Sequence, residues 1–103
     1  MKLLRVGQKG KEKPAILDQD KKIRDLSSLI KDLNPDHLNF KTISELENID
    51  LKSLPELSFS ERIGSCIAKP GKFVAIGLNF SDHAAESNLP VPSEPIMFMK
   101  ATS

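Results

Sequence analysis

Tryptophan and tyrosine are absent from this 103-residue sequence, cysteine occurs once, and glycine only five times. Each scarcity closes off a class. A single Cys66 cannot form an internal disulfide and matches no Cys/His spacing for structural zinc, which excludes a disulfide-stapled scaffold and a zinc module. Its setting, Ile63-Gly64-Ser65-Cys66-Ile67-Ala68, predicts a buried, unreactive thiol. The few glycines form no phosphate-cradling loop. No apolar run approaches the ~20 residues of a membrane helix. Arg5, Lys9, Lys11 and Lys13 interrupt the N-terminal leucine pair before a signal-peptide core can form. The expected location is cytoplasmic, with no membrane partner.

Net charge is only +1, but it is unevenly placed. Residues 1–24 carry eight Lys/Arg against three Asp/Glu, and residues 25–103 carry seven against eleven. A basic arm raises the question of nucleic acid. No aromatic residue precedes Phe40 to stack on bases, and the lysines are spread through strand-like alternation, so no nucleic-acid partner is expected. The basic residues read as the solvated outer face of a hairpin. A hydrophobic fraction of 39% and a charged fraction of 28% describe an ordinary folded chain rather than a disordered one.

The patterning predicts an α+β fold. Lys2 to Val6 and Ala15 to Asp18 read as strands around a Gly7–Gly10 turn, with Pro14 at the start of the second. A tight turn at Asp18–Lys21 leads into Lys22–Asp25, completing an antiparallel meander. Leu26, Leu29, Ile30 and Leu33 then fall at helical spacing, with Asp25 as cap and Asn34-Pro35 as stop. Thr42-x-x-Glu45 is a capping-box pattern that predicts a second short helix ending near Asn48, and Asp50–Leu54 suggests one further turn. His37 reads as an exposed loop residue. Pro55 to Ala68 is expected to be a linker and a first strand leading to a second domain.

Phe73 to Leu78 is an apolar run entered through Pro70-Gly71, the pattern of a buried strand. Ser81 or Asp82 can cap a following helical turn, which would put His83 and Glu86 on one face. Such a pair can act as a general base: the carboxylate holds the imidazole tautomer while the other ring nitrogen takes a proton from water. A capped helix end with a surface His–Glu contact accounts for the same spacing. Pro90, Pro92 and Pro95 exclude helix and central strand, so residues 90–95 form a loop, followed by a strand from Ile96 to Lys100. A buried Lys100 would need an anionic partner, either substrate or an acid elsewhere.

The string Pro70-Gly71-Lys72, Ile76-Gly77-Leu78-Asn79-Phe80, Asp82-His83, Glu86, then Pro92, Glu94-Pro95-Ile96, Phe98 and Lys100 closely resembles the start of the catalytic domain of the fumarylacetoacetate hydrolase family. Members often have Tyr where this chain has Phe80. The resemblance implies a small N-terminal domain over 1–68 and, over 69–103, the first strands of an incomplete mixed β-roll catalytic domain. It also implies metal-dependent C–C bond hydrolysis, or a related decarboxylation, isomerisation or hydration, of a small 2-oxo or 1,3-dicarbonyl acid. His83 and Glu86 match the dyad that activates water, and Lys100 matches a substrate-binding lysine. The family's magnesium or manganese ligands, a Glu-x-Glu pair and a later Asp, match no residue of this chain. A longer form is therefore expected to bind the metal and to be able to form a homodimer, whereas these 103 residues alone are expected to be inactive. The alternative is a self-contained, non-catalytic module that binds a small molecule or a protein.

Overall fold

The computed structural model describes residues 1–78, 86–88, 90, 93–94 and 96–102. The chain divides into two units, Met1–Lys69 and Pro70–Ser103. Six strands in two antiparallel sheets and one short α-helix among the described residues make the fold α+β.

Turn chemistry builds the first sheet. Gly7 and Gly10 hold φ of 120° and 83°, where a side chain would be strained, and the Lys11 N–H closes the reversal on the Gln8 carbonyl at 2.9 Å. Strands β1 (Lys2–Val6) and β2 (Lys13–Leu17) pair with Lys2 opposite Leu17 and Val6 opposite Lys13. Asp18 organises the next reversal: its Oδ1 accepts from the Lys22 N–H at 2.9 Å, and its Oδ2 accepts from Arg24 Nε at 2.9 Å. β3 (Ile23–Asp25) follows, and β4 (Glu56–Leu57) completes the order β1-β2-β3-β4.

Pro14 lies inside β2 rather than before it. Its carbonyl accepts from the Leu26 N–H at 2.9 Å, just past the end of β3. In a strand the nitrogen of a residue points to the same side as its carbonyl, so the missing donor faces a place where β3 has already ended. No ladder hydrogen bond is lost.

Strand alternation divides the apolar residues between the two faces of this sheet. Leu3 and Ile16 turn to one face, where Leu26, Ile30, Leu33 and Leu46 cover them. Leu4, Val6, Ala15, Leu17, Ile23 and Leu57 share the other. Ile16, Leu26 and Leu33 are fully buried, each stabilising the unit by about 1.5–3 kcal/mol.

The first predicted helix does not form. Residues 26–33 make one turn, closed by the Ile30 N–H on the Leu26 carbonyl, before the chain changes direction. Local side chains capture the backbone: Asp25 Oδ1 accepts from the Ser27 N–H, and Asp32 Oδ1 from the Leu33 N–H. Leu26, Ile30 and Leu33 still reach the core, while Leu29 is left 50% exposed. The second helix, α1, spans Phe40–Glu47 and begins before the expected cap. Asn39 is the N-cap, its side chain accepting from the Thr42 N–H at 2.9 Å. Its end at Asn48 and the 3₁₀ turn Leu51–Ser53, capped by Asp50, fall where the sequence places them.

Residues 55–68 are not a linker. Glu56–Leu57 belongs to the first sheet, and Ile63 bridges Val6 on its other edge. Backbone bonds from Gly7 N–H to Arg62 O, from Gly64 N–H to Arg5 O and from Ala68 N–H to Leu33 O tie the segment down at 2.7–2.8 Å. The unpaired edge of β1 offers donors and acceptors that this segment satisfies.

In the second unit β5 (Phe73–Gly77) pairs antiparallel with β6 (Ile96–Lys100), Phe73 opposite Lys100 and Gly77 opposite Ile96. Burial was expected for β5, yet Phe73, Val74 and Ile76 are exposed, as are Ile96, Met97, Phe98 and Met99 on its partner. Among the described residues no second layer covers either face of this two-stranded ribbon. Among the described residues no helix is long and apolar enough to cross a membrane.

Candidate functional site

The hairpin carries the residues singled out by the sequence. One face presents Phe73, Ala75 and Gly77 beside Ile96, Phe98 and Lys100; the other presents Val74 and Ile76 beside Met97 and Met99. The connection from Gly77 to Ile96 contains His83 and Glu86. His83 lies outside the described residues. Glu86 has helical backbone and an exposed side chain, followed by a turn in which Asn88 takes a φ of 52°.

Lys100 is exposed, so the condition under which it would need an anionic partner, burial, is not met among the described residues. Its Nζ lies 5.9 Å from the centroid of the Phe98 ring. An exposed ammonium keeps its water, and the ring quadrupole adds a modest attraction, so no anionic partner is needed to offset desolvation.

Cys66 is exposed rather than buried. Its apolar neighbours Ile63 and Ile67 are themselves exposed, because the segment runs along the outside of β1 instead of entering the core. His37 is half-buried, with Nδ1 2.9 Å from Asn34 Oδ1, and so braces the 34–38 turn.

The most developed polar cluster was not singled out by the sequence. Buried Arg5 donates from Nε and Nη2 to the two carboxylate oxygens of Asp32 at 2.7 and 3.0 Å, and from Nη1 to the Ser65 carbonyl at 3.2 Å. Glu12 approaches the same guanidinium at 3.6 Å and bonds Arg62 at 3.1 Å. Burial pushes the Asp32 carboxyl up, but the Arg5 hydrogen bond, the Leu33 N–H and the Arg5 charge together hold it below the ordinary range. The Asp32 hydrogen bond in turn raises Arg5. Backbone N–H donors, its own foremost, lower Glu12, and the Lys22 N–H is the main cause lowering Asp18. These are satisfied structural pairs. Arg5, Lys22 and Arg24 each meet a carboxylate, so the basic N-terminal segment is not an unbroken positive surface.

A cleft of about 640 Å³ lies between β2 and the 3₁₀ turn, floored by Ile16, Leu46 and Leu51. Two of its acids are already engaged: Asp18 bonds Arg24, and Asp50 caps Lys52; Glu47 also lines it. Among the described residues no three His, Cys, Asp or Glu side chains converge as a metal site.

No family model matches the chain. It is similar over all 103 residues, at 52% identity, to curated proteins of Burkholderia ambifaria, Burkholderia lata and Burkholderia multivorans, each bearing the provisional name hydrolase. All of the chain is covered in these alignments, and it spans about 36% of the length of each relative.

Proposed function

We propose that the chain is the N-terminal portion of a fumarylacetoacetate-hydrolase-like enzyme that cleaves a C–C bond in a small 2-oxo or 1,3-dicarbonyl acid, or carries out a related decarboxylation, isomerisation or hydration. The observation that carries this reading is the 52% identity over all 103 residues to proteins provisionally named as hydrolases. That alignment includes the stretch from Pro70 to Lys100 on which the family resemblance rests.

In this reading His83 takes the proton of a water molecule that attacks the substrate carbonyl. Glu86 holds the imidazole in the required tautomer and stabilises its charged form. Lys100 meets an anionic oxygen of the substrate. A magnesium or manganese ion, held by residues outside this chain, would act as a Lewis acid toward the substrate's oxygens. The first unit, Met1–Lys69, is the small N-terminal domain, and the enzyme is cytoplasmic and can form a homodimer. The uncovered apolar faces of β5–β6 support a unit built to pack against further chain.

The test is a chimera in which these 103 residues replace the matching segment of the Burkholderia ambifaria relative. It is assayed with manganese against a panel of 2-oxo and 1,3-dicarbonyl acids. Turnover of at least one, abolished by chelation and absent from the 103-residue chain alone, is the expected result. A folded chimera with no turnover, combined with saturable binding of such an acid by the isolated chain, would establish the binding-module alternative instead.

A further inference from the structure

Gly77 interrupts an otherwise apolar strand, and no positive φ accounts for it. The reason is steric. A Cβ at this position would lie 3.1 Å from Cε1 of Phe98, tighter than ordinary van der Waals contact. Phe98 stands opposite Ala75, and Gly77 is its diagonal neighbour, two residues nearer the connection and on the same face. The ring therefore leans over Gly77 and occupies the space that any other side chain would fill.

Lys100 lies two residues in the other direction, opposite Phe73 and on the same face as Phe98. Its ammonium reaches the ring, with Nζ 5.9 Å from the centroid. The charge is thereby drawn back along the hairpin, toward the end from which the chain leaves for residues 78–95. Glycine, ring and ammonium form one stack in which each member sets the place of the next.

We propose that Phe98 and Gly77 are positioning residues for Lys100: the ring, seated on the bare backbone of Gly77, holds the ammonium toward the connection end of the hairpin, ready to receive a carboxylate or enolate oxygen of a substrate. The inference rests on the functional reading above for the ligand, but not for the geometry. An unheld lysine would sample many rotamers and lose them on binding, whereas a held one has less entropy left to lose. Tyr at 98 would preserve the arrangement; Leu would not, because the attraction comes from the face of the ring.

Two readouts test this. In the NMR spectrum of the 103-residue chain, the Lys100 ε-methylene protons should be shifted upfield by the ring. Phe98→Leu and Gly77→Val should each remove that shift, and Phe98→Tyr should keep it. Valine favours strands, so loss in Gly77→Val with cross-strand contacts between Val74 and Met99 intact reports displacement of the ring rather than unfolding. An unshifted wild-type lysine, or a shift that survives both Phe98→Leu and Gly77→Val, overturns the proposal. In the active chimera Phe98→Leu should raise KM about two- to fivefold with kcat nearly unchanged, and Phe98→Tyr should restore it. An unchanged KM would likewise overturn the role in binding. A chimera inactive from the outset defeats the functional reading, while the NMR result still decides the positioning.

Discussion

Replacing Asp32 with Ala removes the principal partner of Arg5, whose residue exposure is 9%. Two charge-assisted hydrogen bonds, at 2.7 and 3.0 Å, are lost, and the guanidinium is left with the Ser65 carbonyl and a more distant Glu12 at 3.6 Å. Breaking a fully buried ion pair costs about 3–5 kcal/mol. Asp32 retains 22% side-chain exposure, so water screens part of the interaction and Glu12 compensates part of the rest. The expected loss is about 2 kcal/mol. Because Asp32 is held below the ordinary aspartate range, which centres near ~3.9, the unfolded chain takes up its proton first as pH falls. The stabilisation is thus fully present above that range and disappears as pH drops through the lowered folded value. Urea titrations followed by far-UV circular dichroism, the natural probe in a chain without Trp or Tyr, should show a wild-type advantage at pH 7 that closes in strong acid. Exchange of the Gly64 and Ala68 amides should speed up in the variant, since Arg5 also anchors the segment they secure. A loss below about 0.5 kcal/mol, the level of an exposed pair, or an advantage that does not change with pH, would refute the reasoning.

Asn39→Ala should cost about 1 kcal/mol of stability by chemical denaturation, whereas Thr42→Ala should be close to neutral, because Asn39 supplies the cap. In the isolated chain, amides of Phe73–Gly77 should exchange at least about a hundredfold faster than those of β2, since only a two-stranded ribbon protects them; equal protection would contradict this. In the active chimera His83→Ala should lower turnover by about two to four orders of magnitude with metal affinity nearly unchanged. Glu86→Gln should also lower turnover, with losses that do not add in the double variant; additive losses would return the pair to a helix-end contact.

Much of the architecture could be read from local pattern. The range of β1 is as expected, the Asp50-capped turn lies where it was placed, and β6 runs from Ile96 to Lys100. In each case the information sits within a few residues, such as strand alternation or prolines that end a loop. The residues proposed for the site form a string of types between Pro70 and Lys100, which suggests a chemistry but not where its members stand.

Tertiary structure decided the rest. The spacing of Leu26, Leu29, Ile30 and Leu33 suits a helix, but Asp25 and Asp32 bond nearby backbone amides, and Asp32 is also fixed by Arg5 from 27 residues away. The polar stretch after Pro55 looked like a linker because its partner, the free edge of β1, lies some 60 residues earlier. Cys66 is exposed for the same reason, its apolar neighbours lining an edge rather than a core. Apolar composition determined which residues could be buried; burial itself depends on which surfaces meet. Lys100 shows this most directly: from sequence a buried lysine there would need substrate or an acid, whereas the exposed side chain lies beside an aromatic ring given room by a glycine on the opposite strand.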